Sequence, residues 1–119
     1  MKNVLDMSVV EELLSLSDDG DPELLLDLIQ LFLDDGPAKI QAVTEGLAEQ
    51  DFEKMERAAH ALKGSSGNLG AVFLQDACEE MQLVTRKHDL DTTTRLTPQM
   101  RDHFETACAA LRELQQQLS

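Results

Sequence analysis

Aromatic residues make up only 3% of this chain, cysteines number two and prolines three in 119 residues, and no long uncharged apolar run occurs. Each shortage removes a class of protein. With so few rings the core has to be aliphatic, and a hydrophobic content of 42% suffices for one domain spanning residues 1–119. Cys78 and Cys108 lie far apart, form no C-x-x-C pair and fall among apolar helical residues. They read as reduced core thiols in a reducing compartment, with a disulfide the lesser alternative. No segment approaches the roughly 18 apolar residues of a membrane span. Met1-Lys2-Asn3 opens with one basic residue, but Glu11 and Glu12 interrupt the apolar stretch behind it, so no signal peptide is recognisable and a cytoplasmic location is expected. Basic residues are scarce as well. Ten Lys and Arg face 23 Asp and Glu, a formal charge of −13 that would repel nucleic acid and anionic membrane alike, so the expected partner is a protein.

Helical periodicity runs through nearly the whole chain, and no segment alternates convincingly as a strand. Ser8 is placed to cap a short helix carrying Val9, Val10, Leu13, Leu14 and Leu16, which stops in Ser17-Asp18-Asp19-Gly20-Asp21. Asp21 and Pro22 suit the N-cap and first position of a long helix whose core stripe, from Leu25 to Leu47, continues through about Glu49. Gly36-Pro37 falls inside it and predicts a kink. A third helix runs from about Asp51 to Asn68 and ends where Asn68 and Gly70 can turn left-handed. In the fourth, Phe73, Leu74, Ala77, Cys78, Met81 and Val84 form the apolar side, while Gln75, Glu79, Gln82 and Arg86 line a polar stripe ending near His88. The threonine-rich run from Asp89 to Thr94 predicts a loop, with Thr97 and Pro98 opening a last helix that reaches nearly Leu118. Short connections between amphipathic helices imply an all-α fold: an antiparallel up-down four-helix bundle with the additional short N-terminal helix across one end. A further stripe, Leu24, Leu28 and Leu31, needs cover from that short helix or from a partner.

The chemistry concentrates in Ala58-Ala59-His60-Ala61-Leu62-Lys63-Gly64-Ser65-Ser66-Gly67-Asn68-Leu69-Gly70. Met55, Ala59, Leu62, Ser66 and Leu69 recur at helical spacing as a buried face, which leaves Glu56, His60, Lys63, Gly64 and Gly67 on the opposite one. A lone surface His beside a Lys is ordinary. Two glycines inside a helix are not, since each costs about 1 kcal/mol relative to alanine. Position 64 lies one turn beyond His60, so the missing side chain leaves the imidazole open to a bulky partner while Lys63 brings a positive charge near. The arrangement suits an anion. Ser65 and Ser66 suit bonding to carbonyls one turn back and small-residue packing better than catalysis.

At these positions the chain resembles the histidine-containing phosphotransfer (HPt) family, whose motif has the form His-x-Leu-Lys-Gly-Ser-Ser followed by a small residue and glycine. His60, Leu62, Lys63, Gly64, Ser65, Ser66 and Gly70 fit it, as do Leu31-Phe32-Leu33-Asp34-Asp35-Gly36-Pro37 upstream and Gln82 downstream. The resemblance implies that His60 is the phosphoacceptor, that Lys63 and Gln82 place the phosphoryl group, and that Gly64, with Gly67, gives access to a docking receiver domain. It implies as partners the receiver domains of a hybrid sensor kinase and a response regulator, with apolar surface near the first two helices as their docking site.

In that mechanism a neutral imidazole, with a reference pKa near 6.5, attacks an aspartyl phosphate, and Lys63 offsets the charge. The chain needs no cofactor or metal of its own, and magnesium is expected in the partner's acidic pocket. No G-x-x-x-x-G-K-[ST] loop is present, so neither ATP-dependent autophosphorylation nor kinase-like dimerisation is expected, and a monomer is. A non-catalytic helical adaptor would account for the acidic surface and the leucines but not for Gly64 and Gly67. A metal-dependent hydrolase would need His60 to join His88 or His103, which lie on or near other helices without a His-x-x-x-His pair.

Overall fold

The structure, a computed structural model, describes residues 4–119. Met1-Lys2-Asn3, which entered the signal-peptide reading, lies outside the described residues. Five α-helices follow one another: α1 (Met7–Ser15), α2 (Glu23–Glu49), α3 (Phe52–Asn68), α4 (Val72–Arg86) and α5 (Leu90–Leu118), with a short 3-10 turn at Asp18–Gly20. Among the described residues the extended pairing is limited to one antiparallel bridge, Leu5 with Ala71. Helix α2 packs on α3, α3 on α4, α4 on α5 and α5 back on α2, which closes a four-helix bundle; α1 leans on α2. The core is aliphatic with a little sulfur: Ile29 and Leu25 of α2, Met55 and Leu62 of α3, Leu74 and Met81 of α4, and Leu111 of α5 are each no more than 1% exposed. Burying each such side chain contributes about 1.5–3 kcal/mol.

Tight turns hold the helices antiparallel. After α2, Gln50 adopts a left-handed φ of 56°, and Asp51 N–H donates to the Gly46 carbonyl at 2.8 Å. Asp51 then caps α3 by accepting from Lys54 N–H at 3.0 Å. Between α3 and α4 the left-handed residue is Gly70 alone, at φ 74°, while Asn68 stays in the helix. A Cβ at position 70 would lie 2.9 Å from the Asp6 carbonyl oxygen, and the Gly70 carbonyl accepts from Asp6 N–H at 2.7 Å. This contact ties the segment before α1 to the end of the bundle. Asp6, not Ser8, caps α1: its carboxylate accepts from Ser8 N–H at 3.0 Å and from the Ser8 hydroxyl at 2.6 Å. Pro22 occupies the N-cap position of α2, although Asp21 still supplies a side-chain bond, to Glu23 N–H at 3.0 Å.

Helix α2 continues through Gly36-Pro37 without a break, with Pro37 inside it. Gly36 has a packing reason. A Cβ there would stand 2.5 Å from Cε2 of Phe104, whose ring also meets Phe32 with centroids 5.6 Å apart. The greater departure from sequence expectation is α5, which begins at Leu90 rather than at Thr97. Asp89 caps it through Thr92 N–H and the Thr92 hydroxyl, at 3.1 and 2.7 Å. Thr94 and Thr97 donate their hydroxyls to the Leu90 and Thr93 carbonyls one turn back, and Thr93 and Thr97 are buried. The modest helix propensity of threonine is thus overridden by capping and burial, and Pro98 sits within the helix rather than at its start.

Candidate functional site

The buried face of α3 is the one its periodicity marks: Met55, Ala59, Leu62, Ser66 and Leu69 are all at most 2% exposed. Ser66 is both packed and bonded, its hydroxyl donating to the Leu62 carbonyl at 2.6 Å. His60 is exposed on the other face. Its Nδ1 lies 3.1 Å from Nε2 of Gln82 on α4, and no hydrogen bond among the described residues engages the other ring nitrogen.

That contact is one rung of a polar ladder along the α3–α4 seam. Glu56 accepts from Arg86 Nε at 3.1 Å and Nη2 at 3.0 Å, His60 meets Gln82, Lys63 Nζ lies 3.6 Å from Glu79, and Gly67 faces the Gln75 amide. The steps are four, three and four residues on both helices, in opposite directions. Antiparallel α-helices in contact produce this match, because residues three and four apart share a face.

Gln82 corrects the surface reading of the fourth helix: it is 3% exposed, so its amide reaches the imidazole from the core side. The amide orientation decides which ring nitrogen carries the proton. With the amide nitrogen toward Nδ1, that atom accepts and the proton sits on Nε2; with the amide oxygen there, Nδ1 donates and Nε2 keeps its lone pair.

The two glycines of α3 differ. A Cβ at Gly64 would meet nothing within 4 Å, whereas one at Gly67 would stand 2.7 Å from Nε2 of Gln75. Position 64 is open; position 67 lets the Gln75 side chain cross the helix. His60, Lys63, Gly64, Gly67, Asn68 and Gln75 line a depression open to solvent. Behind it Cys78 is buried, and desolvation pushes its thiol up to about 12, with the Lys63 charge pulling the other way. It is therefore no thiolate at neutral pH. Cys108 is also buried and free, its thiol raised by the same cause.

The helix period puts Glu56 on the His60 face and Gln75, Glu79 and Arg86 on a polar stripe, and the structure brings all four to the seam beside His60. Their matching spacing on two consecutive helices is the signal in the sequence. His88 and His103 are not brought to His60: His88 stacks on Phe52 and His103 on Phe73, with centroids 4.6 and 6.1 Å apart.

The leucine stripe is only partly covered. Leu28 packs against the core, while Leu24 and Leu31 remain 40% and 56% exposed. Leu31 borders a groove of about 190 Å3 between α2 and α3, lined also by Phe32, Gly36, Ala61 and Ser65.

The imidazole thus stands, held by an amide, on an open flank of a helical bundle rather than in an enclosed cavity. Comparison with known proteins makes that specific. The Hpt domain family matches residues 27–118. "Multistep phosphorelay regulator 1" of Schizosaccharomyces pombe is 30% identical over 81 residues, 68% of this chain and 28% of that protein. "Histidine-containing phosphotransfer protein 1" of Arabidopsis thaliana is 24% identical over 106 residues, 87% of this chain and 68% of the relative. The crystal structure of histidine-containing phosphotransfer protein B (HptB) from Pseudomonas aeruginosa PAO1 superposes with a TM-score of 0.87 at 25% identity, covering 98% of both chains. The chain belongs to the Hpt domain family, the histidine phosphotransfer modules of multistep phosphorelays.

Proposed function

We propose that His60 is the phosphoacceptor and that this chain relays a phosphoryl group between the aspartates of two receiver domains, one from a hybrid sensor kinase and one from a response regulator. The observation that carries the proposal is the contact between Gln82 and His60 Nδ1, which leaves Nε2 without a partner among the described residues, beside the open position of Gly64. In the reactive form the Gln82 oxygen accepts from Nδ1–H and Nε2 holds the lone pair. Nε2 attacks the phosphorus of the aspartyl phosphate in line. The P–N bond forms as the P–O bond breaks, the electron pair returns to the aspartate carboxylate, and the Nδ1 proton stays on Nδ1, donated to the amide oxygen, or leaves to water. Transfer onward reverses each change.

Phosphoryl transfer needs positioning and charge compensation more than covalent help. Lys63 supplies part of that compensation here. The magnesium is the receiver's, held in its own acidic pocket. Gly64 admits the receiver, and exposed Leu24 and Leu31, with the groove beside Leu31, suit its apolar docking surface. Exchange between diffusing partners fits a cytoplasmic monomer; no helix among the described residues is long and apolar enough to cross a membrane.

The test is incubation of wild type and His60→Gln with a receiver domain phosphorylated by acetyl phosphate. Wild type should take an acid-labile, base-stable label, as a phosphoramidate does, and His60→Gln should take none while keeping its helical content. Label retained by the variant, label mapped to His88 or His103, or an acid-stable label on Ser65 or Ser66 would reject His60.

A further inference from the structure

Two ion pairs stand on either side of His60 along the seam, Arg86 with Glu56 and Lys63 with Glu79, and they are unequal. Glu56 takes both Nε and Nη2 of Arg86 within 3.1 Å and its side chain is 26% exposed. Lys63 and Glu79 make a single contact at 3.6 Å, longer than a good hydrogen bond, and Glu79 is 58% exposed. A phosphoryl group on His60 adds between one and two negative charges to a chain whose formal charge is already −13. Lys63 lies one turn from His60 on a flexible four-carbon stem, and the ammonium that would answer that charge is the one Glu79 already draws on.

We propose that Glu79 is a positioning residue of the transfer reaction, competing with the phosphoryl group for Lys63. Arrival of the phosphoryl group on His60 is coupled to opening of the Lys63–Glu79 pair, and re-formation of that pair favours handing the group on. The inference rests on His60 being the phosphoacceptor. Arg86 remains with Glu56 throughout, because both its Nε and its Nη2 hold that carboxylate at hydrogen-bond distance, which makes this pair the harder one to open. A solvent-exposed pair shifts an equilibrium by about two- to fivefold. A bias of that size trims a reversible carrier without locking it in either state.

The experiment measures the equilibrium ratio of phospho-His60 to phosphorylated receiver in wild type, Glu79→Gln, Lys63→Gln and the double variant, at low and high salt. The donor is one receiver domain phosphorylated by acetyl phosphate, and circular dichroism checks that each variant is folded. Glu79→Gln should move the ratio about two- to fivefold toward phospho-His60 at low salt, and less at high salt, where exposed pairs are screened. In the Lys63→Gln background the same substitution should move it no further. A Glu79→Gln ratio equal to wild type overturns the inference while leaving His60 as acceptor. An equal shift with and without Lys63 also overturns it, since Glu79 would then act on the phosphoryl charge directly. Absence of acid-labile label from wild type fails the phosphoacceptor reading itself, and the inference with it.

Discussion

The amide of Gln82, a residue only 3% exposed, reaches out of the α3–α4 interface to meet the exposed imidazole of His60 at 3.1 Å. An otherwise freely rotating surface ring is thereby held from its Nδ1 side. The anchor is rigid because α4 packs tightly around it: its neighbour Met81 is fully buried and Leu74 nearly so. Orientation of the nucleophile is thus supplied by the core and not by the helix that carries it.

Removing that anchor should therefore slow chemistry more than it harms folding. Gln82→Leu keeps the volume and loses the hydrogen bond, worth about 0.5–1.5 kcal/mol, so the transfer rate should fall about two- to twelvefold. Single-turnover transfer from a phosphorylated receiver measures it. A rate equal to wild type would show that ring orientation does not depend on the amide.

Gly64 offers the opposite pairing of effects. With nothing within 4 Å of its missing Cβ, Gly64→Ala should stabilise the protein by about 0.5–1 kcal/mol. The bulkier Gly64→Gln should slow transfer strongly without loss of stability. Thermal unfolding and transfer assays on the same two variants test this. An unchanged transfer rate in Gly64→Gln would leave the open position without a role in access.

Thr93 is fully buried on α5, and among the described residues its hydroxyl has no hydrogen-bond partner. Leaving a buried hydroxyl unsatisfied costs about 1–3 kcal/mol, and valine fills nearly the same space without one. Thr93→Val should raise stability by about 1 kcal/mol, seen as a higher urea midpoint with an unchanged m-value. A lower midpoint would mean that the hydroxyl is satisfied in solution.

Acid should act through the helix caps. Asp6 and Asp89 are held below the ordinary carboxylate value of 3.8, chiefly by the side-chain hydroxyls of Ser8 and Thr92 and then by the same residues' backbone N–H groups. Near that pH the unfolded chain binds more protons than the folded one, so stability rises with pH there. The contribution is complete above about pH 3.8 and is lost as pH falls through the lower, folded values. The double variant Asp6→Asn with Asp89→Asn keeps good capping residues but removes the titration. Its urea midpoint should fall less between pH 5 and pH 3 than that of wild type, and an equally steep fall would place the acid response elsewhere.

What could be read in advance divides along a physical line. The inward face of α3, from Met55 to Leu69, was legible because each of those side chains is apolar or small and the helix period alone decides its side. The start of α5 was not. Three threonines disfavour helix locally, and only the Asp89 cap and the burial of Thr93 and Thr97 against the bundle reverse the balance. Helix period alone sets Gln82 on a polar stripe, whereas in the structure it is 3% exposed and meets His60. Helix face groups Gly67 with Gly64, yet the side chain that crosses Gly67, Gln75, comes from the next helix.

The sequence by itself determined the number of helices, the buried face of α3, the exposed histidine with its neighbouring lysine and glycine, and the family motif around them, since all of these follow from spacing within one segment. Only the tertiary structure decided which polar residues of α4 stand against those of α3, which glycine is open and which is crossed, and which leucines stay uncovered. Those outcomes depend on the register between helices. Register is set by how buried side chains interlock across the bundle, a sum over many contacts that no single helix contains.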